Sequence, residues 1–198
     1  TEMDELIKHI PSTPLPNRVF QNKGNFRFED KGMEWGFSQP SFSNSVAYAD
    51  LDNDGDLDLL INNENAPALV YRNNTSETTD NHYLSFQLKG QGSNPFAVGS
   101  VIKVYKSGQV FYRDVFPVRG FQSSMDYKVV VGVGSNTTVD SVVITWPDRT
   151  TQTLANLRLD TLHVVTQQQS NLQAQSSTHV ETFFQPVAHS FDRHVEDD

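Results

Sequence analysis

One nine-residue segment constrains this chain more than any other. It reads Asp50-Leu-Asp-Asn-Asp-Gly-Asp-Leu-Asp58 and carries five carboxylates. Like charges at this density cost folding free energy unless a cation neutralises them. Gly55 at the sixth position allows a sharp turn that other residues avoid. The alternation of aspartates around this turn therefore predicts a metal-binding loop.

Calcium is the ion that this spacing favours, because Ca²⁺ takes six to eight hard oxygen ligands in a flexible cage. The predicted metal ligands are five aspartates, namely Asp50, Asp52, Asp54, Asp56 and Asp58. The first three are expected to lie on the inside of the turn. We expect Asp56 to offer its backbone carbonyl, with its carboxylate pointing outward, and Asp58 to close the cage.

The residues that follow the loop restrict which type of metal-binding motif it can form. An EF-hand needs Glu at the twelfth position, where this chain has Ile61, and residues 57–61 suit a strand better than an exiting helix. The prediction is therefore a strand–loop–strand motif. Magnesium fits less well because it keeps most of its waters. A solvated acidic turn and a catalytic carboxylate pair are the remaining alternatives, and aspartates wrapped around calcium do not titrate freely.

Short apolar runs bounded by turn residues predict an all-β fold. Asn22-Lys-Gly-Asn25 predicts a hairpin turn, and Leu84, Phe86 and Leu88 alternate as in a half-buried strand. We expect strands at 45–49, 57–61, 68–72, 83–89, 100–106, 109–116, 127–133, 139–146 and 161–165. The later strands are typical of a sandwich or open barrel. A helical turn is expected only at 2–9, and the polar stretches 73–81 and 167–179 are predicted to be linkers or exposed loops.

Composition excludes several classes of function. The net charge of −9 disfavours a broad nucleic-acid surface. The chain has no cysteine, which excludes disulfides, thiolate zinc sites and cysteine nucleophiles. No run of about 18 apolar residues is present, so we expect no transmembrane segment. The chain opens on Thr1 without a signal peptide, and we expect it to be a fragment of a longer protein.

Two stretches resemble known families. Tyr48–Asn63, with Ala68–Asn74 after it, resembles the FG-GAP/VCBS repeat, which forms one blade of integrin-type β-propellers. Phe20–Asp30 is similar to the outer strands of a preceding blade. The resemblance implies a partial propeller whose calcium loop joins the first two strands of a blade.

The second half resembles the ASPIC/UnbV domain. The similar segments are Val98–Tyr105, Arg119–Ser124, Val131–Gly134 and Val142–Asp148, and the family usually has Gly where this chain has Arg149. The combination resembles proteins of the cartilage acidic protein 1 type and large bacterial relatives, many from Bacteroidetes. It implies an N-terminal helical or linker segment at 1–16, the repeat at 17–76, a β-sandwich-like domain at 81–166, and a linker with the start of a following repeat at 167–198.

The resemblance implies an exported, calcium-stabilised binding or adhesion module without catalytic residues, at the cell surface, outer membrane or in the periplasm. The leading expectation is a non-catalytic scaffold for an unidentified protein or glycan, with no nucleic-acid partner. The alternatives are an accessory carbohydrate-binding component and a non-catalytic part of a hydrolase. Trp35 could line a sugar platform, although packing between blades is preferred. Exposed strand edges could also pair with a second copy.

Overall fold

The computed structural model describes residues 5, 12–135 and 138–168, and this part of the chain is almost entirely β-structure. The elements are β1 (Leu15–Pro16), β2 (Phe20–Asn22), β3 (Phe28–Asp30), β4 (Pro40–Ser41), β5 (Ser43–Ala49), β6 (Asp58–Asn63), β7 (Leu69–Tyr71), α1 (Thr75–Thr78), β8 (His82–Lys89), β9 (Val101–Lys106), β10 (Gln109–Asp114), β11 (Val129–Gly134), β12 (Ser141–Thr145), β13 (Thr151–Leu154) and β14 (Leu162–Thr166). The predicted all-β class is confirmed.

The second half of the chain forms two sheets that share one core. The first sheet has the order β10-β9-β12-β13 and is antiparallel throughout. The second has the order β11-β8-β14, with β14 parallel to β8. Both sheets turn one face inward because their apolar residues alternate along the strands, as in β9, where every second residue is buried. We call this unit the sandwich.

The core of the sandwich is a single hydrophobic cluster. Its fully buried members include Leu84 and Phe86 from β8, Ile102 and Val104 from β9, and Ile144 from β12. Ile144 lies directly opposite Ile102 across the sheet. The predicted alternation of β8 is therefore the pattern that supplies one wall of this core.

The first half, which we call the repeat, forms smaller sheets. β5, β6 and β7 make an antiparallel meander in that order, and β1 pairs with β4. β2 and β3 form the predicted hairpin, with Phe20 opposite Asp30, and Gly24 takes a φ of 77° in its turn. The predicted strands of the repeat are confirmed within a few residues at each end.

One expectation of local structure was wrong in part, one strand was not expected, and two expectations are untested. The polar stretch 73–81 contains the helix α1 instead of being only a loop, because Asn73 and Ser76 find partners in the aspartate segment. β13 (Thr151–Leu154) was not expected, since its sequence is polar and it pairs only at the edge next to β12. The expected helix at 2–9 lies outside the described residues, apart from residue 5, which is helical, and the expected start of a following repeat lies outside them as well.

A segment of the sandwich runs along the free edge of the repeat. The backbone N–H of Tyr48 in β5 donates to the sulfur of Met125 at 3.2 Å. The backbone oxygen of Val46 lies 3.2 Å from where a side chain at Gly120 would begin. The β5 edge is therefore covered by the sandwich, which limits pairing with another chain at this edge.

Candidate metal centre

The aspartate segment closes the hairpin between β5 and β6. Ala49 at the end of β5 is paired with Asp58 at the start of β6, so the eight residues between strand ends must turn tightly. Asn53 and Gly55 provide this turn with φ values of 63° and 90°. The strand–loop–strand form predicted for the motif is thus the form observed.

Three of the predicted ligands come together. Carboxylate oxygens of Asp50, Asp52 and Asp54 lie within 4.8 Å of one another. Asp50 is buried, and its Oδ1 has no hydrogen-bond partner among the described residues. Burying a carboxylate oxygen without a partner is costly, and a hard cation removes that cost. The oxygen-only donor set and this unpaired oxygen fit a bound divalent metal ion.

Asp56 and Asp58 are held by backbone amides. Asp58 is 3% exposed, and its two oxygens accept from the N–H groups of Leu51 at 3.0 Å and Asn73 at 2.8 Å. Asp56 accepts from the N–H of Ser76 at 2.5 Å. The bond from Leu51 connects the two ends of the loop, and the bonds from Asn73 and Ser76 connect the loop to the residues that follow β7. The assignment of Asp56 and Asp58 as metal ligands stays a prediction.

The position of Asp58 predicts that it stabilises the loop without any ion. Asp58→Ala should lower the free energy of unfolding by about 2 kcal/mol in the presence of a chelator, because the two charge-assisted hydrogen bonds that buried Asp58 accepts from backbone amides are lost. Urea unfolding of the two proteins in EGTA measures the difference. Asp52→Ala is the matched control, since Asp52 is more exposed and should cost less than half as much. Equal losses in both variants would contradict this role.

The residues after β7 contribute to the electrostatics of the loop. Arg72 Nε lies 2.8 Å from Asp52 Oδ2, and its Nη2 lies 2.7 Å from Glu77. This guanidinium holds the pKa of Asp52 below its usual value. The Ser76 hydroxyl donates to Asp54 Oδ2 at 2.9 Å. Sequence reasoning missed these contacts because Ser76 and Glu77 lie in a polar run with no periodic pattern, and Arg72 ends an expected strand without belonging to a ligand motif.

The sandwich also reaches the loop. The ring of Tyr83 lies directly over Gly55, and the Lys128 ammonium lies 3.1 Å from Asp50 Oδ2. Burial, with the carboxylates of Asp50 and Asp160 next in effect, raises the pKa of Tyr83. Sequence reasoning could not find Lys128, since it lies far along the chain and belongs to no motif. The metal loop is therefore part of the contact between repeat and sandwich.

The aromatic residues before β5 have separate environments. Phe37 is buried, and its ring centroid lies 4.5 Å from that of Tyr71. Trp35 remains 47% exposed and Phe42 remains 39% exposed. Phe37 therefore packs inside the repeat, whereas Trp35 keeps a face open to a neighbouring blade or a ligand.

The fold and the site together define a class of protein, in which a β-meander with an acidic metal loop is joined to a β-sandwich. Residues 12–61 match the family model of the FG-GAP-like repeat, and residues 90–172 match that of ASPIC and UnbV. The chain therefore contains an FG-GAP-like repeat followed by an ASPIC/UnbV domain, as its sequence predicted. A search of curated proteins finds no match.

These two domains are indicative of an extracellular or surface module. No helix in the described part of the chain reaches the length and apolar character that crossing a membrane requires. The acidic cluster of Asp50, Asp52 and Asp54 is compatible with a metal ion.

Proposed function

We propose that this chain is a calcium-binding, non-catalytic binding or scaffold module of a larger exported surface protein. The observation that supports it most strongly is the unpaired Oδ1 of buried Asp50, next to the carboxylates of Asp52 and Asp54. Three carboxylates at one turn, one of which has an oxygen without another partner, match the preference of calcium for carboxylate ligands.

The charge of the loop also favours a divalent ion. Residues 50–58 carry five carboxylates, and two cationic side chains, Arg72 and Lys128, contact them. The local sum is two minus five, or −3. A Ca²⁺ ion reduces it to −1. The ion therefore lowers the repulsion that this loop would otherwise impose on the folded state.

In this proposal calcium has a structural role. The loop joins β5 to β6, and its far side contacts Tyr83 and Lys128 of the sandwich. An ion that fixes the loop would also hold Gly55 against the ring of Tyr83, and would present the two domains as one surface for a protein partner. Loops of modest affinity fill only where calcium approaches millimolar concentration, which supports an exported setting.

Calcium is expected to raise the melting temperature of the wild-type protein, and Asp54→Asn is expected to abolish this rise. At a hundredfold excess over its dissociation constant, the ion should stabilise the fold by about 2.7 kcal/mol. Calorimetric titration and melting in calcium, magnesium and EGTA measure both effects. Asn keeps the shape of Asp54 but removes the charge from the cluster.

Glu64→Gln is the matched control, because Glu64 follows the opposite end of β6 and loses the same charge. It should respond to calcium as the wild type does. A wild-type protein that gives neither heat nor a shift in melting temperature would refute calcium binding. An equal response to magnesium would refute the choice of ion.

An accessory carbohydrate-binding role is the second candidate. It is supported by Trp35, which keeps 47% of its surface exposed in the loop between β3 and β4. Aromatic faces stack on sugar rings, so a bound oligosaccharide would change the fluorescence of this residue. A titration of plant and microbial oligosaccharides against the wild type separates this role from protein scaffolding.

A further inference from the structure

Lys128 is held in an unusual environment for a lysine. Its Nζ donates to the backbone oxygen of Asp50 at 3.0 Å, to Asp50 Oδ2 at 3.1 Å and to Asn53 Oδ1 at 3.1 Å. An ammonium has three N–H donors, so this set of acceptors satisfies it completely. The side chain of Lys128 is 13% exposed and that of Asp50 is 3% exposed. Lys128 and Asp50 therefore form a partly buried ion pair at the metal loop, and the cation of the pair comes from the sandwich.

The position of Lys128 is fixed by the sandwich and not by the loop. Tyr127 stacks on Phe96 with ring centroids 4.3 Å apart and planes 6° from parallel. Val129, on the other side, begins β11 and is paired with Phe86 of the core strand β8. The ammonium is thus presented to the loop by a rigid neighbour, which lowers the entropy lost when it binds the loop.

We infer that Lys128 is a resident cation of the metal loop, which holds the loop in its turn when no divalent ion is bound and weakens calcium binding when one arrives. The inference rests on the proposed function, because it assumes that calcium enters the same loop. It assigns to the sandwich domain a role in setting the calcium affinity of the repeat.

The two oxygens of Asp50 explain why both cations act on one residue. Oδ2 accepts from Lys128, whereas Oδ1 has no partner among the described residues. An ion bound to Oδ1 would share this carboxylate with the ammonium, whose Nζ lies 3.1 Å from Oδ2. Two cations held by one carboxylate repel each other. The carboxylate can be shared, but at a lower calcium affinity than it would have alone.

Reciprocity gives the contact between the domains a dependence on calcium. If the ammonium weakens calcium binding, calcium must weaken the hold of the ammonium on the loop by the same factor. Arg72 also contacts the loop, but its side chain is 53% exposed and its charge is screened by water. Lys128 is therefore the cation whose removal should change the affinity most.

Lys128→Met tests the inference, because methionine keeps most of the apolar stem and removes the charge. Calorimetry should show calcium binding about tenfold tighter than in the wild type, while the melting temperature in EGTA should fall. A lysine with only a packing role would lower the melting temperature without tightening calcium binding. Lys128→Arg keeps the charge and should stay within about threefold of the wild-type affinity.

Lys89→Met is the matched control for charge. Lys89 is exposed at the other end of β8, about 20 Å along the strand from Tyr83 at a rise of 3.3 Å per residue. Its removal should leave the calcium affinity within about twofold. Unchanged or weaker binding by a folded Lys128→Met protein would overturn the inference.

Lys128→Gln provides a second neutral variant if methionine prevents folding. Neutral variants that fold only when calcium is added support the inference, since the ion then replaces the missing cation. Failure of both to fold even with calcium overturns it and leaves Lys128 a structural residue.

The wild-type titration separates the two proposals. Calcium binding by the wild type with no gain in Lys128→Met supports the proposed function and refutes this inference. Calcium binding seen only in Lys128→Met or Lys128→Gln supports this inference and refutes the proposed function. No calcium binding by any of the proteins refutes both.

Discussion

Replacing Gly55 by alanine is expected to lower the free energy of unfolding by about 2–4 kcal/mol and to abolish calcium binding. Gly55 has a φ of 90°, where an L-residue is strained by about 1 kcal/mol. A Cβ at this position would lie 2.2 Å from Cδ1 and Cε1 of the Tyr83 ring, which is a severe overlap. Forcing extra atoms into a packed site costs roughly a further 1–3 kcal/mol. Urea unfolding in EGTA and calorimetry in calcium measure the two effects.

Gly36→Ala separates strain from overlap. Gly36 has the same φ of 90°, but nothing lies within 4 Å of its hypothetical Cβ. This variant should therefore lose only about 1 kcal/mol and keep its calcium response. Equal losses in the two alanine variants would show that Tyr83 does not lie against the loop in solution. A larger loss at Gly55 places the loop and the sandwich in direct contact.

The metal loop could be predicted from the sequence because the residues that identify it are consecutive in the chain. The alternating carboxylates and Gly55 occupy nine consecutive residues, and the strands on both sides have apolar character of their own. The alternation of Leu84, Phe86 and Leu88 is equally local, and it correctly identified a strand that lines the core. A pattern that lies within one strand or loop can be recognised without knowing which other elements it contacts in the fold.

The rest of the site could not be predicted because it depends on pairs that are distant in sequence. Lys128 meets Asp50 across 78 positions, and no spacing rule connects them. Helix α1 spans only Thr75–Thr78, too short to show a helical period, and it forms beside the aspartates that bind Ser76. The five candidate ligands were identified by their spacing, but the backbone partners of Asp58 required the fold.

The two domains differ in how they are stabilised. Among the described residues, the repeat contributes only Phe37 and Ile61 to the buried hydrophobic set, whereas the sandwich contributes a continuous cluster. The repeat also leaves Phe26 and Phe28 largely exposed. A sheet of three strands with so small a core gains little from burial alone. The folded state of the repeat must therefore be stabilised by the hydrogen bonds of the loop, by any bound ion and by contact with the sandwich.

Phe86→Ala is accordingly expected to destabilise both domains together. Phe86 is fully buried in β8, and removing a buried phenyl ring costs about 3–5 kcal/mol. For a chain of this length, that lowers the melting temperature by roughly 10 °C. Phe121→Ala is the matched control, because its side chain is 68% exposed and its loss should cost less than about 1 kcal/mol.

The two tryptophans of the chain allow each domain to be followed separately. Trp35 lies in the repeat and Trp146 lies in the core of the sandwich. Phe86→Ala is introduced into two single-tryptophan proteins, Trp146→Phe and Trp35→Phe, and each is compared with its own parent. Both fluorescence transitions should fall by the same amount, since Tyr83 and Lys128 join the loop to the strands that flank the cavity left by Phe86. A fall at Trp146 without one at Trp35 would show that the repeat holds its fold alone. Coincident transitions would instead make the sandwich the folding support of the metal loop, so that calcium added to either protein should raise both transitions together.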